Sequence, residues 1–345
     1  MFFILAERVY LKNILLHLLN FVYNLVCEKG ELWMIKIDLI TGFLGAGKTT
    51  FIINYAKYLV EQGQKIGIIE NDFGAVNVDM MLLQDSLGDK CDLEMISGGS
   101  DIETHRRRFK TKLIAMGMLG YDRVLIEPSG IFDVDEFFDL LYEEPINNWY
   151  EIGSVIAIVD AKLETELSKE SNFLLASQIA KAGKVILSRS QDASKTDIDQ
   201  TIAHLNQALK QVQCNRKIDN DVIIKNWSDF KDQDYQEIVN SGYINEDYQK
   251  MHFKQEEAYS SLYFMNIKTT ASQLSKQVAK IFKDQNCGNV FRIKGFINDD
   301  NWLELNATRH EITINSIKQG QEIIIVIGEN LNHDLIEKYL LNKVV

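Results

Sequence analysis

Short apolar runs alternate with stretches of helical spacing along the chain from residue 34 to about residue 210. Five of the runs are predicted to be buried strands, at 37–40, 65–69, 121–127, 154–160 and 184–187. Helices are predicted from Thr50 to about Val60 and from 166 to 181, where apolar residues recur at helical spacing. Strands that alternate with helices predict an α/β fold with a doubly wound, mostly parallel sheet.

The pattern changes beyond residue 260. Strands are predicted at 262–267, 290–297, 302–307, 311–316 and 322–328, with helices at 271–282 and 331–341. Several consecutive strands after one helix indicate a second, smaller α+β domain with an antiparallel sheet. The chain between the two patterns is polar, and we expect it to be irregular. The predicted division is a first domain at 34–213, a linker region at 214–259 and a C-terminal domain at 260–345.

The first 33 residues fit neither pattern. Their apolar stretch at 14–22 contains polar residues and falls short of the roughly 20 apolar residues that a membrane helix needs. No A-x-A cleavage site accompanies it, which argues against a signal peptide. We hypothesise that residues 1–33 are a loosely attached helix or an extension upstream of a translation start at Met34, and we expect no stable membrane insertion.

Composition and charge narrow the range of partners. The formal net charge is −12, and the one basic run is His105–Arg108, so we predict no nucleic-acid partner. We interpret that run, with Lys110 and Lys112, as the solvated face of a helix in preference to a phosphate or client clamp. The 4 cysteines are far apart and form no C-x-x-C pair, which is typical of a reducing, cytoplasmic setting.

The strand at 37–40 leads into the sequence GFLGAGKT, which matches the phosphate-binding loop G-x-x-x-x-G-K-[ST] and precedes a helix. Glycines in such a loop let several backbone N–H groups point at one anion, and the helix N-terminus adds partial positive charge. Lys48 is expected to reach the β- and γ-phosphates, and the Thr49 hydroxyl to bind Mg²⁺. The predicted nucleotide-binding residues of the loop are Gly42, Gly45, Ala46, Gly47, Lys48, Thr49 and Thr50.

Acidic residues close two of the predicted strands. Glu70 and Asp72 follow the strand at 65–69, Asp79 comes later, and Glu127 ends the strand at 121–127. In open α/β sheets this edge binds ligands, so these carboxylates are expected to hold Mg²⁺ or orient the attacking water. Gly130 is expected to offer its N–H to the γ-phosphate. The predicted catalytic residues are Lys48, Glu70, Asp72 and Glu127, and the predicted magnesium ligands are Thr49, Glu70, Asp72 and Glu127.

Five segments together resemble the CobW-like P-loop GTPases, which are related to the nickel-insertion GTPases of urease and hydrogenase. The segments are GFLGAGKTT at 42–50, ENDFG at 70–74, IEPSG at 126–130, FRIKGF at 291–296 and IIIVIG at 323–328. The resemblance implies Mg²⁺-dependent GTP hydrolysis and a CobW-type C-terminal domain. It also implies a metalloprotein or corrinoid-handling client protein, and it leaves a homodimer open.

The chain departs from this family at two places. The family's Cys-x-Cys-Cys motif, which binds the transferred metal, has no counterpart in the stretch 95–101, so a transition metal such as zinc stays uncertain. The family's guanine-binding Asn-Lys-x-Asp is replaced by Ser188-Arg189-Ser190-Gln191, followed by Asp192. Gln191 aligns with the family's aspartate, whereas a slip of one residue would use Asp192. The predicted base-site residues are Ser188, Arg189, Gln191 and Asp192.

Two functions from different classes stay open on this sequence. One is a GTPase of the CobW type whose hydrolysis cycle switches its grip on a client protein. The other is a nucleotide-gated scaffold with little hydrolysis, relaxed preference between GTP and ATP, and no metal transfer, which the two departures favour.

Overall fold

We analysed a computed structural model of the chain. The structure describes residues 34–43, 45–70, 90–96, 102–128, 134–164, 166–219, 221–251, 259–317, 320 and 322–343. Two sheets organise these residues, one in each of two parts of the chain.

Seven strands of the described residues form the first sheet, in the order β3-β2-β4-β1-β5-β6-β7. The strands are β1 Ile35–Thr41, β2 Ile66–Glu70, β3 Cys91–Met95, β4 Arg123–Glu127, β5 Tyr150–Asp160, β6 Lys184–Ser188 and β7 Val222–Ile224. Every neighbouring pair runs parallel. The inner strands are almost wholly buried, as expected for parallel strands that are covered on both faces.

Helices cover both faces of this sheet. They are α1 Lys48–Glu61, α2 Ile102–Gly117, α3 Val134–Leu141, α4 Lys169–Ala180, α5 Lys195–Gln211 and α6 Asp232–Val239. Apolar residues of α1 and α6 pack on one face, and those of α2 to α5 pack on the other. The predicted doubly wound α/β fold is therefore confirmed.

The region 214–259 is more regular than we expected. It contains β7, which pairs with β6, and α6, whose Tyr235 and Ile238 are buried against the sheet. The Ser154 hydroxyl on β5 also donates a hydrogen bond to the Ile238 carbonyl at 2.8 Å. The expectation of irregular structure failed because β7 has only three residues and α6 buries only a narrow apolar stripe.

Five strands of the described residues form the second sheet, which is antiparallel, in the order β11-β10-β9-β12-β8. The strands are β8 Ser260–Met265, β9 Asn289–Asp299, β10 Asn301–Ala307, β11 Ile312–Ser316 and β12 Ile323–Glu329. Helices α7 Ala271–Lys283 and α8 His333–Leu340 share one apolar cluster with this sheet. The predicted α+β character of this part is confirmed. Within the described ranges, no helix has the length and apolar character needed to cross a bilayer.

Candidate nucleotide-binding site

The glycine-rich loop joins β1 to α1 and depends on backbone shapes that only glycine adopts easily. Gly42, Gly45 and Gly47 have φ angles of 146°, 77° and 95°. A Cβ atom on Gly42 would collide with the Ile158 carbonyl oxygen, so the loop lies directly against β5. Helix α1 begins at Lys48, earlier than the predicted start at Thr50.

Gly47 is the N-cap of α1 and has no side chain to accept a hydrogen bond from the first turn of the helix. The first N–H groups of α1 therefore face the loop without a side-chain cap, in the arrangement that binds an anion at a helix N-terminus. Ala46 is buried beneath the loop, and the Thr50 side chain is exposed.

Lys48, Thr49 and Glu127 meet at the base of the loop. Lys48 is 6% exposed, and its Nζ donates a hydrogen bond to the Gly42 carbonyl oxygen at 2.9 Å. The Thr49 hydroxyl donates to the Glu127 carboxylate, at 2.9 Å from Oε1 and 3.1 Å from Oε2. Glu127 ends β4, the strand beside β1. A hydroxyl and a carboxylate held together in this way are hard oxygen donors, which fit Mg²⁺.

Glu70 ends β2 and lies opposite Glu127 in the parallel ladder. Both side chains are buried, with 2% and 8% exposure, at the same edge of the sheet. The other residues predicted at this edge, Asp72, Asp79 and Gly130, lie outside the described residues. The structure therefore brings together Lys48, Thr49, Glu70 and Glu127.

The predicted base-binding residues follow β6. Ser188 is buried and donates to the Val159 carbonyl oxygen at 3.3 Å. Gln191 and Asp192 are exposed, and the Gln191 amide donates to the Asp192 carboxylate at 3.1 Å. This hydrogen bond takes up only part of the acceptor capacity of the Asp192 carboxylate, whose two oxygens together accept several hydrogen bonds.

Arg189 connects the base element to the glycine-rich loop. Its Nη1 donates to the Gly45 carbonyl oxygen at 3.0 Å and to the Asp160 carboxylate at 2.6 Å. Its Nε also lies 3.5 Å from the Glu311 carboxylate in the C-terminal domain. The side chain thus braces the loop from the side on which the second domain lies.

A cavity of about 230 Å³ lies over the loop. Lys48, Thr49 and Glu127 line its base, and the second sheet lines the opposite side with Arg292 and Asn306. The sequence pattern does not predict this second wall. The alternation in FRIKGF indicates that Arg292 and Lys294 share a sheet face, but it does not reveal what that face meets.

The basic run lies on α2, and three basic side chains of this helix are engaged in ion pairs. Arg106 and Lys110 both pair with Glu143, and Lys112 pairs with Glu94. The pairs are partly exposed, which supports the interpretation as a solvated helix face.

No group of three His, Cys, Asp or Glu side chains suited to a metal ion is found within the described ranges. Cys91, the cysteine nearest to the stretch that replaces the family's cysteine motif, is buried on β3. Burial raises the pKa of its thiol to about 12, so the group is a neutral thiol at physiological pH.

A parallel sheet whose first strand ends in this loop, with a threonine and a strand-end glutamate beneath it, defines a P-loop nucleotide-binding protein. The chain belongs to the CobW/HypB/UreG family, because the model of that family's nucleotide-binding domain matches residues 36–219.

Two relatives in Escherichia coli are named zinc chaperones. The chain is 30% identical to zinc chaperone YeiR over 170 residues, which cover 49% of this chain and 50% of YeiR. It is 29% identical to zinc chaperone YjiA over 182 residues, which cover 50% of this chain and 55% of YjiA. The chain spans about half the length of the curated relatives it matches.

Among solved structures, the chain is similar to the Zn(II)-bound YjiA GTPase from Escherichia coli, with 16% identity and a TM-score of 0.32. That match covers 90% of this chain and 99% of YjiA. HypB from Helicobacter pylori in complex with nickel matches with 14% identity and a TM-score of 0.39, over 60% of this chain and 84% of HypB.

Proposed function

We propose that this chain hydrolyses GTP with Mg²⁺ and that the hydrolysis cycle switches its interaction with a client metalloprotein during metal or metal-cofactor insertion. The observation that carries the proposal is the meeting of the Thr49 hydroxyl and the Glu127 carboxylate at 2.9 Å beneath the glycine-rich loop. The names of the relatives support the proposed link to metal handling, since YeiR and YjiA are named zinc chaperones.

Each side chain at the loop has a distinct task in this proposal. The loop N–H groups and the N-terminus of α1 bind the phosphates, and Lys48 exchanges the Gly42 carbonyl oxygen for a phosphate oxygen. Thr49 and Glu127 would hold Mg²⁺, which when bound neutralises charge on the β- and γ-phosphates. Glu70, beside Glu127 in the ladder, orients the water that attacks the γ-phosphate.

The base-site residues bear on the choice between GTP and ATP. Gln191, in place of the family's guanine-binding aspartate, favours a second candidate, a nucleotide-gated scaffold that accepts GTP and ATP with little hydrolysis. The Gln191 amide offers one carbonyl acceptor where a carboxylate would accept both guanine donors, so the charge-assisted contacts to guanine are lost at that position. A turnover comparison of GTP with ATP, with and without Zn²⁺, Co²⁺ and Ni²⁺, separates the two candidates. Negligible turnover of both nucleotides under all conditions would refute the proposal that the chain is an enzyme.

The sharpest test of nucleotide binding is Lys48→Ala, with Lys57→Ala as the matched control. Lys57 is an exposed lysine of the same helix. We expect Lys48→Ala to weaken GTP and ATP binding by roughly 10- to 100-fold in calorimetry, because a charge-assisted contact to phosphate is lost. Lys57→Ala should bind as the parent does. A Lys48→Ala protein with unchanged affinity for both nucleotides would refute the proposed site.

A further inference from the structure

The second sheet presents a polar face to the glycine-rich loop. Lys294 on β9 lies opposite Asn306 on β10, which in turn lies opposite Thr313 on β11. All three residues line the cavity over the loop. Their neighbours in sequence, such as Ile293 and Leu305, belong to the apolar cluster that contains α7 and α8. Because successive side chains along a strand point to opposite faces of the sheet, the polar side chains form one wall of the cavity over the phosphate-binding loop.

Arg292 lies on the same face of β9 as Lys294, because the two residues are two positions apart. Its Nε and Nη2 donate to the neutral Asn306 amide oxygen at 3.3 and 3.2 Å. Among the described residues, Arg292 has no carboxylate partner. Its half-buried guanidinium lines the cavity that Lys48 and Thr49 line from the other side, and the lining also includes the carboxylates of Glu127, Glu304 and Glu311.

We propose that Arg292 contacts the terminal phosphate of the nucleotide from the C-terminal domain, so that this domain closes over the loop in the triphosphate state. The inference rests on the proposed nucleotide-binding function. A guanidinium presents several donors in a fixed fork that matches phosphate oxygens, and its charge favours the more highly charged triphosphate. Loss of the terminal phosphate removes this contact, which couples the docking of the second sheet to hydrolysis.

The test compares Arg292→Gln with the parent in calorimetric titrations with GDP and with a non-hydrolysable GTP analogue, both with Mg²⁺. We expect the affinity for the analogue to fall about tenfold or more, the size of one charge-assisted hydrogen bond, while GDP affinity stays within about twofold. Arg292→Lys keeps the charge but loses the fork, so its analogue affinity should lie between those of the parent and Arg292→Gln. This variant also keeps the test decisive if Arg292→Gln fails to fold.

The matched control is Arg309→Gln. Arg309 also lies in the C-terminal domain, and it pairs with Glu164 of the first domain at 3.2 Å without lining the cavity over the loop. Its replacement removes a cross-domain ion pair and one positive charge, so a general effect of domain docking would appear in this variant. We expect its ratio of analogue to GDP affinity to match that of the parent.

The outcomes separate this inference from the proposed function. An unchanged ratio in Arg292→Gln, or an equal loss in Arg309→Gln, overturns the role of Arg292 while nucleotide binding stands. A parent protein that binds neither nucleotide overturns both proposals. A ratio that falls only in the Arg292 variants supports the inference.

Discussion

Gly45 is one of the residues at which the glycine-rich loop meets the C-terminal domain. Its φ angle is 77°, and a Cβ atom at this position would lie 2.7 Å from the Thr308 methyl carbon. The residue therefore meets two demands, a left-handed backbone conformation and space for the second sheet. The loop motif accounts for the first demand only, because Thr308 is far away in sequence.

Gly45→Ala separates these two demands when it is compared with Gly63→Ala. Gly63 has a φ angle of 86°, and a Cβ atom there would meet nothing within 4 Å, so its replacement introduces backbone strain alone, about 1–2 kcal/mol. We expect Gly45→Ala to lower the free energy of unfolding by a further 1–3 kcal/mol or so in urea titrations, because the methyl group also overpacks the interface.

Thr308→Ser should rescue Gly45→Ala, because it removes the methyl group that the new Cβ atom would contact. We expect the double variant to recover most of the excess loss over Gly63→Ala. Equal losses of unfolding free energy in Gly45→Ala and Gly63→Ala would show that the two domains are not in close contact at Gly45.

Asp38 illustrates what a sequence pattern cannot reveal at the scale of a residue. It interrupts the apolar run of β1 and yet is completely buried. Arg123 Nη1 pairs with its carboxylate at 2.5 Å, and the Tyr55 hydroxyl donates to it at 2.8 Å. Burial, together with the Asp38 charge, raises the pKa of Tyr55, so the phenol stays a donor. Asp38 and these two partners belong to three different elements, which the pattern of a single strand does not bring together.

At the scale of the elements, apolar periodicity predicted several strands and helices within a few residues, whereas the 17-residue helix α5 was not predicted. Strand β9 at Asn289–Asp299 contains the predicted 290–297, and helix α7 at Ala271–Lys283 nearly matches the predicted 271–282. The edge strand β3 was not predicted, because only Cys91 of its residues is buried. Edge strands leave one side unpaired, so their burial pattern is weak.

Ile238 on α6 tests whether the region 214–259 is part of the first domain. It is fully buried against the sheet, whereas Ile224 on the neighbouring β7 is 43% exposed. We expect Ile238→Ala to cost roughly 2–5 kcal/mol of unfolding free energy in denaturant titrations, because it leaves a cavity. The control Ile224→Ala should cost under about 1 kcal/mol. A small effect at both positions would favour the irregular linker that the sequence predicted.

Some residues of the candidate site could be predicted from local sequence, and others are placed there only by tertiary packing. The loop motif predicted Lys48 and Thr49 directly, since strand, loop and helix are contiguous in sequence. The place of Glu127 at the site could also be predicted, because parallel strands end at a common edge of the sheet. The place of Arg292 could not be predicted, because its position over the loop depends on how the two sheets pack together.

At the scale of the whole molecule, Glu329 links the two domains. It lies at the end of β12 and is 6% exposed. Its Oε1 accepts hydrogen bonds from the hydroxyls of Ser168, at 2.5 Å, and Ser171, at 2.6 Å, both at the N-terminus of α4. A carboxylate at this end of a helix also interacts favourably with the helix dipole. The contact between the second sheet and the first domain therefore includes the N-terminus of α4 as well as the glycine-rich loop.

Glu329→Ala should loosen this docking without unfolding either domain, because it leaves the two serine hydroxyls without their shared acceptor at a cost of about 1–3 kcal/mol. In calorimetry, the ratio of van't Hoff to calorimetric enthalpy should fall below that of the parent, since the two domains unfold less cooperatively. The matched control is Glu322→Ala, which breaks an ion pair with Lys268 inside the C-terminal domain and should leave the ratio unchanged. If the two variants change the ratio equally, Glu329 contributes nothing specific to the coupling of the domains, and their docking depends on other contacts.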